Sequence, residues 1–124
     1  MEQRRILIAD DEEDVVTALQ FALEAEGYEC LTAYDGNEAF TKAKKEKPDL
    51  IILDIMMPKM NGYQISRLLK FDKRYKDILI LMLTARTQEK DQKLGEETGA
   101  DLYVTKPFEI DGLVNTINHL LKFL

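Results

Sequence analysis

The chain has 124 residues, 45% of them apolar, which is enough for one domain with a single core and no disulfide or metal staple. Its formal charge of −6 argues against a phosphate-tracking face, so direct nucleic-acid binding by this domain is not expected. Cys30 is the only cysteine, which excludes an intramolecular disulfide or thiolate metal cluster. With no apolar signal segment, and no run approaching the roughly 20 residues that span a bilayer, a cytoplasmic location is expected.

The first strand is predicted over 5–9, "RILIA", and it ends on Asp10 and Asp11. These adjacent carboxylates repel each other where a buried strand surfaces and water screens poorly. Helix capping favours acids in a first turn. That accounts for Glu12 or Asp14 alone, and less well for a pair at a strand end. A helix follows with Val15, Leu19, Ala22 and Leu23 on one stripe, stopping at Gly27. The segment 29–33, "ECLTA", is a mixed strand suited to a sheet edge, with Cys30 as a small strand hydrophobe. "DGNE" at 35–38 reads as a capping box opening a second helix, with Ala39, Phe40 and Ala43 inward and Pro48 marking its end.

The third strand, 50–54, "LIILD", ends on Asp54 and runs into "IMMPKMNG", where Met56, Met57 and Met60 either pack within the loop or form an adaptable partner surface. A third helix follows Gly62, with Ile65, Leu68 and Leu69 inward. The fourth strand is predicted over 78–83 and is followed by Thr84. A helix over 87–99 has Leu94 as its one large apolar residue and Gly95 inside, a cost of roughly 1 kcal/mol against alanine, so it should be weakly anchored. The fifth strand, 102–104, leads to Lys106. The last helix shows Leu113, Val114, Ile117, Leu120, Leu121 and Leu124 at helical spacing, with His119 solvated. Five strands alternating with five helices imply a parallel α/β sheet wrapped on both faces. In the doubly wound order 2-1-3-4-5, strands one and three are neighbours at the switch point, where ligands bind beyond the strand ends.

Asp10, Asp11, Asp54, Thr84 and Lys106 would then share one rim. Three carboxylates against one lysine leave surplus negative charge, which suits a hard divalent cation such as Mg²⁺, with Mn²⁺ as the alternative ion. A metal beside a carboxylate, a hydroxyl and a lysine suggests phosphoryl chemistry with an aspartate nucleophile. Asp54, at the end of the central strand, is the best candidate.

These residues resemble the receiver domains of two-component response regulators. The resemblance rests on "ADD" after strand one, "LDIMMPKMNG" around strand three, "LTA" at the end of strand four and "TKPF" after strand five. It covers the whole chain as one receiver domain, 1–124, and implies a flavodoxin-like (βα)5 fold. It implies that Asp54 accepts a phosphoryl group from a histidine kinase or phosphotransfer protein. Asp11, Asp54 and the Met56 carbonyl would bind Mg²⁺, and Asp10 would orient a bound water. Lys106, before a cis peptide to Pro107, would pair with the phosphoryl group. Thr84 would bond a phosphoryl oxygen, and Tyr103 would change rotamer with it. Met56 and Arg86 would tune phosphoryl lifetime, and neither offers a carboxylate or amide to position an attacking water. Partner docking is expected on the first helix and the loop after Lys106, through Asp14, Phe21 and Phe108. The output would be a changed face of the 87–99 helix, strand five and the last helix, in a monomer or a phosphorylation-dependent homodimer.

A Mg²⁺-dependent phosphohydrolase with an Asp nucleophile is the alternative. It would need an acid two residues beyond Asp54, where Met56 stands, and a cap that the chain is too short to supply. A flavodoxin-like binding module would need a phosphate-cradling loop after strand one, where Asp10 and Asp11 oppose it. The chain is therefore expected to be a phosphoacceptor that assists its own phosphorylation and dephosphorylation rather than a turnover enzyme.

Overall fold

The computed structural model describes residues 3–85 and 99–122. Of the helix expected over 87–99, residues 87–98, with Leu94 and Gly95, lie outside the described residues, as does the terminal Leu124. The element order is β1 (Arg5–Ala9), α1 (Glu13–Ala25), β2 (Glu29–Ala33), α2 (Gly36–Glu46), β3 (Leu50–Asp54), α3 (Gly62–Lys70), β4 (Leu79–Thr84), β5 (Leu102–Thr105) and α4 (Ile110–Lys122). All strand pairs are parallel, and the sheet order is β2-β1-β3-β4-β5. No helix among the described residues is long and apolar enough to cross a membrane.

The short Ile- and Leu-rich strands are continuous rather than alternating because both faces are covered. Leu7, Ala9, Ile51, Leu53, Ile80 and Met82 pack towards α2 and α3, with Ala39, Ala43, Ile65 and Leu69. Their sequence neighbours Ile6, Ile8, Leu50, Ile52, Leu81 and Leu83 pack towards α1 and α4, with Val16, Leu19, Leu23, Leu113, Val114 and Ile117. Each fully buried Leu or Ile contributes roughly 1.5–3 kcal/mol, so the central strands hold the sheet ends rigidly in place. β2 lies on an edge, as its mixed composition indicated, and Cys30 there is half-buried among the second set of apolar residues.

Two local expectations change. Leu68 is exposed rather than inward. The buried stripe of α3 is Gly62, Ile65, Ser66 and Leu69, so the small Ser66 takes the inward place and Leu68, about 100° round from Leu69, falls beyond the stripe's edge. At the start of α2, Asp35 accepts from the Glu38 amide, but the Glu38 side chain accepts from the Tyr34 amide rather than that of Asp35. The complete reciprocal box instead opens α3, between Asn61 and Gln64.

Candidate functional site

Parallel pairing places Ala9 opposite Leu53, so the residues that follow, Asp10 and Asp54, emerge side by side at the carboxyl ends of β1 and β3. Asp10 is wholly buried. Its Oδ1 accepts from the Glu12 amide at 2.9 Å and its Oδ2 accepts from Lys106 Nζ at 2.9 Å. Asp11 is exposed. One carboxylate oxygen from each of Asp10, Asp11 and Asp54 lies within 4.8 Å of the others.

Asp54 is buried, with 6% of its surface exposed. Its Oδ1 faces the Met56 amide at 3.4 Å and its Oδ2 faces Lys106 Nζ at 3.6 Å. Burial, followed by the charge of Asp10, pushes its carboxyl up from 3.8 to about 6, against the lowering effect of Lys106. Burial pulls the Lys106 ammonium down, but its hydrogen bond to Asp10 and the charges of Asp54 and Asp10 together raise it. Lys106 is thus held charged, and shared among carboxylates.

The loop that presents Asp54 is fixed by close backbone contacts. A Cβ on Gly62 would stand 2.7 Å from the Asp54 carbonyl oxygen, and one on Gly36 would stand 1.9 Å from the Met60 carbonyl oxygen. The Gly36 amide donates to the Pro58 carbonyl at 3.0 Å, and Lys59 pairs with Asp35 at 3.5 Å. Glycine at both positions lets α2 and α3 begin directly against the acceptor loop.

The other residues singled out from the sequence fall in three places. Thr84 is buried at the end of β4, beside β3, and its carbonyl accepts from the Lys106 amide at 2.6 Å. Tyr103 pairs with Met82 and Thr105 with Thr84, so Tyr103 and Thr84 are diagonal neighbours on one face of the sheet. The Lys106–Pro107 peptide is cis. Met56 is exposed while Met57 is buried, so the loop methionines split between solvent and packing. Arg86 lies outside the described residues. Asp14 and Phe108 line a groove of about 510 Å³ beside Lys106, between α1 and Ile110. Phe21, 78% exposed, lines an adjoining groove that shares Asp14, Ala18 and Ile110.

Glu12 is the site residue that the sequence reading treated only as a cap. It occupies the N-cap of α1 without making a side-chain cap bond, and its Oε1 accepts from Lys106 Nζ at 3.3 Å. The signal that could have found it is its place directly after the strand-end pair, on the same rim as Lys106.

The donor set fits a hard divalent cation. Three close carboxylates offer oxygen ligands alone, and the single lysine beside them offsets only part of their charge. A thiolate-seeking metal has no ligand here, since Cys30, the chain's one cysteine, lies on β2.

With that fold and that rim, the chain belongs to the response regulator receiver domain family, whose family model matches residues 6–118. It is 50% identical over 117 residues to the alkaline phosphatase synthesis transcriptional regulatory protein PhoP of Bacillus subtilis, a match covering 92% of this chain and 48% of that protein. The chain thus spans about half the length of this curated relative. Among solved structures, the chemotaxis response regulator CheY4 of Vibrio cholerae superposes with a TM-score of 0.90 at 34% identity, over 96% of this chain and 99% of that one. The response regulator DrrB of Thermotoga maritima, an OmpR/PhoB homologue, gives 0.89 at 26% identity, over 98% of this chain and 54% of that one.

Proposed function

We propose that residues 1–124 form the receiver unit of a two-component system, a switch set by phosphorylation of Asp54. The observation that supports it is a buried carboxylate at the end of the central strand, facing one lysine and flanked by two further carboxylates. In the transfer, an Asp54 carboxylate oxygen attacks the phosphorus of a phosphohistidine on a histidine kinase or phosphotransfer protein. The P–N bond breaks, and the imidazole leaves with a proton from water.

Lys106 starts 3.6 Å from the Asp54 oxygen and needs only a short side-chain movement to meet the added phosphoryl oxygens. Glu12 and Asp10 keep its ammonium aimed at the rim beforehand. Thr84 donates its hydroxyl to a phosphoryl oxygen, and the diagonal position of Tyr103 lets that ring turn as the threonine moves. Asp11, Asp54 and the Met56 carbonyl would hold Mg²⁺, or Mn²⁺, with Asp10 orienting a bound water. The ion would supply positive charge against the developing phosphoryl charge. Neither Met56 nor Arg86 carries a carboxylate or amide that would position an attacking water, so the phosphoryl group would last longer than in the fastest members of the family.

The phosphodonor docks on the exposed side of α1 and the segment after Lys106, through Asp14, Phe21 and Phe108. The output is a changed face around the 87–99 segment, β5 and α4, acting without direct nucleic-acid contact by this unit. Incubation with acetyl phosphate and Mg²⁺ should add one phosphoryl mass, lost on chelation and absent in Asp54→Asn. Labelling of Asp54→Asn as strong as the parent's would sink the assignment.

A further inference from the structure

At the end of the molecule away from the carboxylates, the part built by α2, α3 and the segment after α3 is basic. Residues 40–47 and 67–77 hold nine lysines and arginines against three acids, in a chain of net charge −6. They sit at the C-terminal ends of α2 and α3, which begin at the acceptor loop and run back to the far pole of the sheet. The two ends meet there. Lys47 Nζ and the Arg74 guanidinium lie 5.7 and 5.1 Å from the centre of the Tyr75 ring, and Lys44 lies 4.2 Å over Phe40.

Helix C-termini attract cations, which accounts for Lys44, Lys45, Arg67 and Lys70 in the last turns. It does not account for Lys73 and Arg74 beyond the end of α3. Nor does it account for Phe71 and Leu68, 71% and 50% exposed among these charges. Arg67, Leu68, Phe71, Asp72, Lys73 and Arg74 line a groove of about 620 Å³. Among the described residues no carboxylate lies within salt-bridge distance of Arg67 or Lys73, whereas Lys70 is tied to Asp101 and Arg74 to Asp72.

We propose that this groove docks an acidic segment of a partner protein that presents a large apolar side chain. Phe71 and Leu68 would be covered by that side chain, and Arg67 and Lys73 would pair with the acids on either side of it. An extended polyanion is a poorer occupant. A duplex or an anionic membrane would bring its charge against the whole molecule's negative field, while a short segment feels chiefly charges within a Debye length of about 8 Å. Leucine, moreover, offers nothing to a phosphate backbone. The groove lies at the pole opposite Asp54, so its occupancy should not depend on phosphorylation, and the proposal stands apart from the reading of the rim.

The test uses a fluorescein-labelled peptide of glutamates around a central leucine and phenylalanine, followed by anisotropy and by amide NMR shifts. Saturable shifts confined to residues 44–47 and 67–76 are expected. Affinity should be about tenfold weaker in Phe71→Ser and in the pair Arg67→Glu with Lys73→Glu; both variants should stay folded because all three side chains are solvent-facing, with a small drop in unfolding midpoint in the pair from the reversed charge in the last turn of α3. Affinity should be the same with beryllofluoride bound. No saturable shift in 67–76, or equal affinity in both variants, would overturn the proposal. So would tighter binding of a short DNA duplex or of anionic vesicles than of the peptide. Concentration-dependent shifts of the same residues without peptide would overturn it in favour of a second copy of this chain.

Discussion

Replacing Asp54 by asparagine should stabilise the metal-free protein at neutral pH, even though it removes the proposed acceptor. Burial and the neighbouring Asp10 raise the Asp54 carboxyl from 3.8 to about 6, a value that already includes the attraction of Lys106. At ~1.36 kcal/mol per pH unit, ionising this group in the folded chain costs about 3 kcal/mol more than in the unfolded chain. The sign follows from proton binding. Between 3.8 and about 6 the folded state holds the proton more tightly, so the stability associated with Asp54 is full below that window and is lost as pH rises through it. The penalty is therefore about 3 kcal/mol near pH 7.5 and about 1 kcal/mol near pH 4.5. Asparagine keeps the shape without the charge. Urea unfolding in EDTA should show Asp54→Asn more stable than the parent, by a margin about 2 kcal/mol larger at the higher pH. Millimolar Mg²⁺ should stabilise the parent and leave the variant nearly unmoved. An equal margin at both pH values would refute the charge-burial argument, and a variant less stable near pH 7.5 would reverse its sign.

Gly36→Ala should cost about 2–3 kcal/mol, because its Cβ meets the Met60 carbonyl, backbone that no rotamer change relieves. Gly112→Ala, within α4 and with nothing within 4 Å, should gain about 0.5–1 kcal/mol, and denaturant midpoints of the two compared with the parent check both signs. Substituting Asp14, Phe21 and Phe108 together should slow phosphotransfer from the cognate kinase while leaving acetyl phosphate labelling intact; unchanged phosphotransfer would remove the docking assignment. Thr84→Ala should still accept the phosphoryl group but respond weakly, since a bound group shifts an equilibrium only by its differential affinity for the two states. Hydrogen exchange with and without beryllofluoride reads this out over residues 85–105, and equal changes in parent and variant would count against the Thr84–Tyr103 coupling.

The rim was legible in the sequence because a parallel α/β sheet delivers every strand end to one edge. Once "RILIA", "LIILD" and the fourth and fifth strands are read as neighbours in one parallel sheet, Asp10, Asp11, Asp54, Thr84 and Lys106 must gather, whatever the details of packing. Local periodicity also located α1 and α4, whose apolar stripes are long enough to average out single residues. It misplaced Leu68, because α3 has nine residues and a buried serine shifts its stripe. Tertiary structure alone decided how Lys106 divides itself among Asp10, Glu12 and Asp54, since those pairs join residues far apart in the chain and depend on side-chain reach across neighbouring strands. It also decided that α2 and α3 end together, bringing lysines and arginines from two separate segments into one basic patch. Spacing within a segment reports which face of an element is apolar; it has no means of reporting which distant charges that face will meet.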